Sequence, residues 1–307
     1  MAETNSNREA FIKELPGVQT DAVLAPFTTY KIGGPADFLF EARNEKEIIA
    51  SVKAAKKFGL PVFILGGGSN LLIPDEGCRG LVVRVKNAGI KTATSLENKK
   101  ISVGAGTMLG DLTRFFLENS FSGMEWAAGI PGTVGGAIRG NAGAFGGCVS
   151  DVVETVTYFD LGESGAGFKK AAKNDCGFGY RDSVFKKRKD WLIVSGEINV
   201  HSGNQSEIKR KMDENIAQKI SSQPLNYPSA GSVFKNPKDG FSAKMIEECG
   251  LKGKRIGNAM ISDRHANFIV NLGGATEKEI KKLIALAKEE VFKKFGVSLE
   301  EEIEIVE

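Results

Sequence analysis

The sequence predicts a mixed α+β fold in two domains, and three observations carry that prediction. A strand-helix-strand pattern over residues 36–65 runs straight into a glycine turn. A polar segment, His201-Ser-Gly-Asn-Gln-Ser206, interrupts the chain well past its middle. Beyond it come a charged helix, a Pro/Gly loop and a long amphipathic helix. At 307 residues the chain is long enough for two domains of about 100–200 residues. The expected division is an N-terminal extension over 1–27, a two-lobed domain over 28–202 (lobes at about 28–86 and 87–202) and a smaller α+β domain over 203–307.

Taken in order, the elements follow from residue pattern. A short helical pattern spans Arg8 to Leu15, and Ala36-Asp-Phe-Leu-Phe-Glu-Ala42 reads as a strand by content. Asn44 and Glu47 have capping-box spacing, and Ile48, Ile49, Val52 and Ala55 mark one face of a helix running to about Phe58. Pro61-Val-Phe-Ile-Leu65 is a short apolar strand ending at Gly66-Gly-Gly-Ser-Asn70. Further strands are expected at Leu81–Val85 and Ile101–Ala105, then a helix from Leu109 to about Asn119 burying Leu112, Phe115 and Phe116. Strands at Asp151–Asp160 and Trp191–Val200 bracket a polar loop, Cys176–Phe185. After the polar segment, the Asn204/Glu207 pair opens a charged helix to about Ile220, followed by a loop over 223–237 and a short helix, Phe241–Cys249. A strand at Asn267–Asn271 precedes a helix opened by Thr276 and Glu279, with Ile280, Leu283, Ile284, Ala287, Val291 and Phe295 at core spacing. Val297–Val306 alternates as a strand, with Leu299, Glu301, Ile303 and Ile305 on one face and Glu300, Glu302 and Glu304 on the other.

Composition narrows the function classes. Net charge is only +3 with Lys and Arg dispersed, which disfavours a nucleic-acid surface. Four well-separated cysteines (Cys78, Cys148, Cys176, Cys249) suit reduced thiols in a cytoplasmic protein better than a disulfide framework or zinc site. With two histidines, His201 and His265, His-rich metal centres have no ligands, so no metal site is expected. Met1–Arg8 is polar and lacks the apolar core of a secretory signal, and no apolar run approaches the ~18 residues of a membrane span. A soluble cytoplasmic protein is expected; the sequence does not set its oligomeric state.

The most distinctive stretch lies between these strands. Nine glycines fall between Gly123 and Gly147, and Arg139 is the one formal charge from Trp126 to Ser150. Such backbone lets a ligand approach closely, and clustered N–H groups favour anions. A set of tight turns in a crowded core is the competing reading. Neither G-x-G-x-x-G nor G-x-x-x-x-G-K-[ST] is present, so an ordinary Rossmann or P-loop site is not indicated.

Five stretches together carry a resemblance. They are Gly66-Gly-Gly-Ser-Asn-Leu-Leu72, Gly129-Ile-Pro-Gly-Thr-Val-Gly-Gly136 with Asn141-Ala-Gly143, Tyr180-Arg-Asp-Ser183, Pro228-Ser-Ala-Gly-Ser-Val-Phe-Lys-Asn-Pro237 and Leu299-Glu-Glu-Glu-Ile303. In this order, from about Thr28 to the C-terminus, the chain resembles the UDP-N-acetylenolpyruvoylglucosamine reductases of peptidoglycan precursor synthesis. The resemblance implies a two-lobed FAD-binding domain of the vanillyl-alcohol oxidase-like class followed by a substrate-binding domain. It implies non-covalent FAD, NADPH as hydride donor and UDP-N-acetylglucosamine-enolpyruvate as substrate.

By motif match, Ser232 is the proton donor, with Arg181 and Glu302 its catalytic partners. Gly66, Gly67, Gly68, Ser69 and Asn70 are expected at the FAD pyrophosphate, and Gly132, Thr133, Gly136 and Ala142 along the flavin. A side chain at Gly132 is expected to block the cofactor while leaving folding possible. Tyr180, Lys235 and Asn236 are expected at the sugar nucleotide. Each has a blander alternative: Ser232 as a turn residue, Arg181 in a surface pair with Asp182, Glu302 as one charge on a solvated face. Lys235 and Arg181 both qualify to stabilise the alkoxide left on Ser232. Two departures stand out. Lys31 occupies a position that is Arg in many members, keeping charge without a bidentate fork. The short interval between Arg181 and Ser232 matches the subclass lacking an inserted tyrosine loop. Alternative functions are an FAD-dependent sugar or alcohol oxidase of the same fold, with Cys148 the nearest candidate tether for flavin, and a non-catalytic nucleotide-sugar binder.

Overall fold

The computed structural model describes residues 2–92, 100–162 and 167–306. The chain forms two compact units, one of residues 1–18, 39–67 and 82–218, the other of residues 19–38, 68–81 and 219–307. This division differs from the expected boundary at 203, which rested on local polarity. Early residues join the second unit because Tyr30, Ile32 and Leu72 are buried in the same core as Phe234, Ile280 and Leu283. No run of residues near 203 could reveal that.

The first unit is built on a five-stranded antiparallel sheet, ordered 167–172, 153–160, 191–199, 100–104, 90–92. The strand Gly167–Ala172 was not read from sequence, its Lys-rich pattern being that of an exposed edge. The helix Glu45–Lys57 starts as predicted, Asn44 Oδ1 accepting from Glu47 N at 3.0 Å. Glu47 returns the bond to Arg43 N at 2.7 Å, so its carboxylate also serves a donor outside the helix. The helix Leu109–Glu118 occurs where periodicity puts it, and Gln205–Ser222 where the Asn204/Glu207 pair opens it.

The second unit centres on the helix Glu277–Phe295, whose Ile280, Leu283, Ile284, Ala287 and Val291 are buried as predicted. Against it lies a three-stranded antiparallel sheet, 255–256, 259–261 and 269–271. The terminal strand is much shorter than its alternation suggests, only Glu304–Ile305, parallel to Leu71–Leu72. A bend at Glu302–Ile303 breaks the alternation. A carbonyl distant in sequence causes it: the amides of Glu302 and Ile303 both donate to Val233 O, at 2.7 and 3.4 Å. Among the described residues, no helix is long and apolar enough to cross a membrane.

The Thr276 cap is reciprocal: Glu279 N donates to Thr276 Oγ1 and Thr276 N to Glu279 Oε2, each at 3.2 Å. The same carboxylate oxygen accepts from Asn258 N at 3.1 Å, tying the helix start to the preceding hairpin. We expect Glu279→Ala to cost about 1–3 kcal/mol in urea unfolding and Glu279→Gln clearly less. Equal losses from the two variants would show that the cap contributes nothing specific.

Candidate active site

The glycine-dense stretch is not a uniform loop. Thr133 caps a helix over Val134–Gly140, its Oγ1 accepting from Gly136 N at 3.4 Å. The first amides of this helix are engaged by protein, since Val134 N donates to Thr107 O and Gly135 N to Ala105 O, each at 2.8 Å. Ala142 is engaged likewise, its N–H on Ala137 O and its carbonyl on Val149 N, both 2.9 Å. An anion nest at this helix start therefore has fewer amides to offer than the glycine spacing suggests. Close approach of a ligand is the property that remains.

The structure sorts the glycines by what demands them. A Cβ at Gly66 would lie 2.7 Å from Thr133 Oγ1, and one at Gly67 would lie 2.7 Å from Gly132 Cα. Both answer packing between the two glycine segments inside the first unit. Gly132 has φ +113°, a conformation that a side chain strains. A side chain at Gly132 therefore carries a backbone cost in the apoprotein besides any cost to the cofactor. Gly136 is different: it is exposed, and a Cβ there meets nothing nearer than Thr133 Oγ1 at 3.6 Å. An added Cβ at Gly140 faces open space. Helical glycines cost about 0.5–1 kcal/mol relative to alanine, so this open glycine face calls for a reason outside the protein. A flat cofactor lying on backbone supplies one, and the face fits FAD in that respect. The far end of the stretch borders a cavity of about 380 Å³ lined by Trp126, Phe145, Gly146, Gly147 and Lys211.

The same helix anchors the turn bearing Tyr180 and Arg181. Asn141 ends the helix in a left-handed conformation, its Nδ2 donating to Gly179 O at 2.9 Å and its Oδ1 accepting from Ser150 N at 3.0 Å. Ser183 Oγ donates to Arg139 O at 2.7 Å, so Arg139 serves this turn through its carbonyl. Gly179 and Asp182 close the turn by mutual N–H···O bonds of 3.0 and 3.2 Å. Arg181 sits at φ +54°, a costly conformation for a bulky residue and one that concentrates at functional sites. Its guanidinium lies 5.6 Å from the Tyr180 ring centroid, and Tyr180 is 57% exposed. Asp182, the partner the sequence offered to Arg181, pairs with Lys187 at 3.1 Å.

In the second unit, Gly68 and Ser69 turn their carbonyls to Thr29, which donates from N at 3.0 Å and from Oγ1 at 3.4 Å respectively. Asn70 reaches the terminal segment: its Nδ2 donates to Glu302 O, and its own carbonyl accepts from Glu304 N, both at 2.9 Å. The Ser232 loop meets the same segment. Besides Glu302 N on Val233 O, Lys235 N donates to Glu300 O at 2.9 Å. The main chain thus joins the segments bearing Ser232 and Glu302 inside one unit, which the blander readings of these residues do not require. Lys235 Nζ lies 3.2 Å from the exposed Glu300 carboxylate. Asn236 Oδ1 accepts from Ser242 N at 3.1 Å, at the start of the helix Ser242–Glu248. Lys31 Nζ donates to Pro26 O at 3.1 Å, a single bond of the kind a point charge makes.

Two asparagines here escaped the sequence reading, which took Asn267–Asn271 only as a strand. Asn267 is buried and bonds both main-chain groups of Phe234, accepting from its N–H at 2.9 Å and donating to its carbonyl at 2.8 Å. Asn271 donates to Tyr30 O at 3.0 Å and accepts from Gly273 N and Ala275 N. The signal was present: amides bracketing an apolar run must find partners if that run is buried.

His265 is half-buried and its Nδ1 accepts from Asn267 N at 3.3 Å, which requires the neutral ring. Burial, with Lys252 nearby, holds its pKa below the usual value, while Glu247 acts in the opposite sense. The unfolded chain, with an ordinary pKa of about 6.5, therefore binds this proton more readily than the folded one. The contribution of His265 to stability is present above that value and is lost as pH falls through the folded pKa. We expect wild-type unfolding free energy to decline with acidification from about pH 7, and His265→Gln to flatten that slope. An unchanged slope in the variant would assign it to other groups.

A family model described as "FAD binding domain" matches residues 36–164. A second, "UDP-N-acetylenolpyruvoylglucosamine reductase, C-terminal domain", matches residues 223–306. The UDP-N-acetylenolpyruvoylglucosamine reductase of Carboxydothermus hydrogenoformans is 41% identical over 283 residues, 92% of each chain. That of Clostridium perfringens is 36% identical over 289 residues, 94% of this chain and 93% of the relative. A crystal structure of the reductase from Thermus caldophilus aligns with TM-score 0.77 at 34% identity, covering 93% of this chain and 98% of that one.

Proposed function

Because the chain belongs to the UDP-N-acetylenolpyruvoylglucosamine reductase family, and is thereby an FAD-dependent oxidoreductase acting on an enolpyruvyl sugar nucleotide, we propose that it reduces UDP-N-acetylglucosamine-enolpyruvate to UDP-N-acetylmuramate with NADPH as reductant and Ser232 as proton donor. FAD held along the glycine segments would supply the hydride chemistry that the enolpyruvyl group needs. Everything else falls to the side chains of this protein.

Hydride addition pushes negative charge toward the substrate carboxylate, and the neighbouring carbon then needs a proton. Charge that develops in the transition state is best met by preorganised donors. Arg181 is proposed for that charge, and its left-handed backbone supports the reading because such strain persists only where surroundings enforce it. Ser232 is proposed to deliver the proton, and Glu302 to orient the reacting group beside it. Tyr180, Lys235 and Asn236 are proposed to contact the sugar nucleotide. For the cofactor, Gly66 to Asn70 are proposed at the pyrophosphate, and Gly132, Thr133, Gly136 and Ala142 along the flavin.

The observation that carries the proposal is the bond from Glu302 N to Val233 O at 2.7 Å, immediately after Ser232. It brings the segments of two distant motifs together, as a shared proton-transfer step requires.

The test is anaerobic. NADPH should bleach the flavin of purified protein, and UDP-N-acetylglucosamine-enolpyruvate should restore its colour. Colourless protein that binds the sugar nucleotide would favour a non-catalytic binder. Flavin that is reduced by an alcohol or sugar, and not by NADPH, would favour an oxidase.

A further inference from the structure

We infer that Asn267 is a positioning residue for Ser232 and Glu302, an inference that rests on the function proposed above. The warrant is a set of bonds to the main chain of the two residues after Ser232. Asn267 Oδ1 accepts from Phe234 N at 2.9 Å, and Asn267 Nδ2 donates to Phe234 O at 2.8 Å. The carbonyl of Asn267 accepts from Val233 N at 2.8 Å. Three bonds from one residue therefore hold the two residues that follow Ser232. On its other side, Val233 O accepts from Glu302 N at 2.7 Å, so the clamp on Val233 extends to Glu302.

The arrangement is buried: Asn267 is 4% exposed, Val233 0% and Phe234 1%. A primary amide can present an acceptor and a donor to the N–H and C=O of a single residue at once. In such surroundings each bond is hard to replace by water, and breaking one leaves a buried group unmet. Ser232 itself is only half-buried, in a loop containing Pro228, Gly231 and Pro237. Nothing in that loop's composition fixes the hydroxyl. The clamp fixes the main chain next to it, and a proton donor must be held to within a fraction of an ångström of its acceptor.

The isosteric Asn267→Asp variant isolates this role. It keeps the acceptor for Phe234 N–H and sets a carboxylate oxygen against Phe234 O, at nearly constant volume. Asn267→Ser, smaller and uncharged, serves as the second variant. Rates are read per flavin-loaded molecule, by stopped flow, in two separate steps. We expect flavin bleaching by NADPH to stay within about twofold of wild type, and recolouring by the enolpyruvyl substrate to slow about 10²-fold. The loss should fall in kcat with KM little changed. In a Ser232→Ala background, Asn267→Asp should slow recolouring little further, because the group being positioned is gone.

Wild-type recolouring in the flavin-loaded variants overturns the inference, even if their melting temperature has dropped. So does full additivity with Ser232→Ala, which would mark a merely structural residue. Wild-type protein that is not bleached by NADPH, or not recoloured by the substrate, overturns instead the functional reading on which the inference rests.

Discussion

Ser232→Ala is expected to retain its flavin, to bleach with NADPH at the wild-type rate, and to recolour with UDP-N-acetylglucosamine-enolpyruvate more slowly by about 10²–10⁴-fold, the range contributed by a positioned acid. The proton is needed only when the enolpyruvyl carbon is reduced, so the first step has no use for the serine. The substitution removes one oxygen at a half-buried loop position, and it leaves in place the bonds that Val233, Phe234 and Lys235 make to hold the loop. Stability should therefore change little. Near wild-type recolouring in the variant would remove Ser232 from the proton-transfer role. Glu302→Gln then becomes the next variant to measure, since Glu302 shares the same main-chain frame.

Much of the fold was legible because its signals are local. The helices Glu45–Lys57 and Glu277–Phe295 were visible through caps and apolar periodicity, which act over one or two turns. What escaped was non-local. Tyr30 and Leu72 join a core built mainly from residues beyond 230, and no window of sequence contains that pairing. The alternating terminal segment failed as a strand for the same reason, since a distant carbonyl, Val233 O, draws two successive amides and bends it. At the candidate site, the motif residues were legible as types in order, whereas their supports were not. Asn70 reads in the sequence as a cofactor contact, and nothing there signals that its amide also holds Glu302 O. Asn267 was read as part of a strand, yet its side chain grips Phe234. Supporting asparagines carry no motif of their own; their signature is a buried amide with both ends satisfied, which only coordinates reveal.

Gly67→Val and Gly136→Ala are expected to fail in opposite ways, although both residues lie in glycine segments assigned to the cofactor. At Gly67 the obstacle is protein backbone: an added Cβ would lie 2.7 Å from Gly132 Cα, 3.2 Å from Gly132 C and 3.3 Å from Thr133 N. None of these is the movable end of a side chain. Gly132 cannot easily yield, because its φ of +113° and its bond to Leu109 N at 2.9 Å fix it. Overpacking of this kind typically costs about 1–3 kcal/mol and more where backbone must shift. Gly67→Val should therefore melt many degrees lower as apoprotein, or accumulate as aggregate, before any cofactor is considered. At Gly136 the opposite holds. The position is helical and exposed, and a Cβ there makes only an ordinary contact with Thr133 Oγ1 at 3.6 Å. Alanine should raise apoprotein stability by about 0.5–1 kcal/mol, as it does at unstrained helical glycines. If the flavin lies against this face, the same methyl group stands where the ring must approach, and FAD affinity should fall at least about tenfold, a loss of about 1.4 kcal/mol. Thermal melting of apoprotein and fluorescence titration with FAD separate the two quantities. A stabilised Gly136→Ala protein that binds FAD as tightly as wild type would move the flavin off this face. A Gly67→Val apoprotein as stable as wild type would show that the two glycine segments can part without cost, and that their close packing is imposed by the cofactor alone.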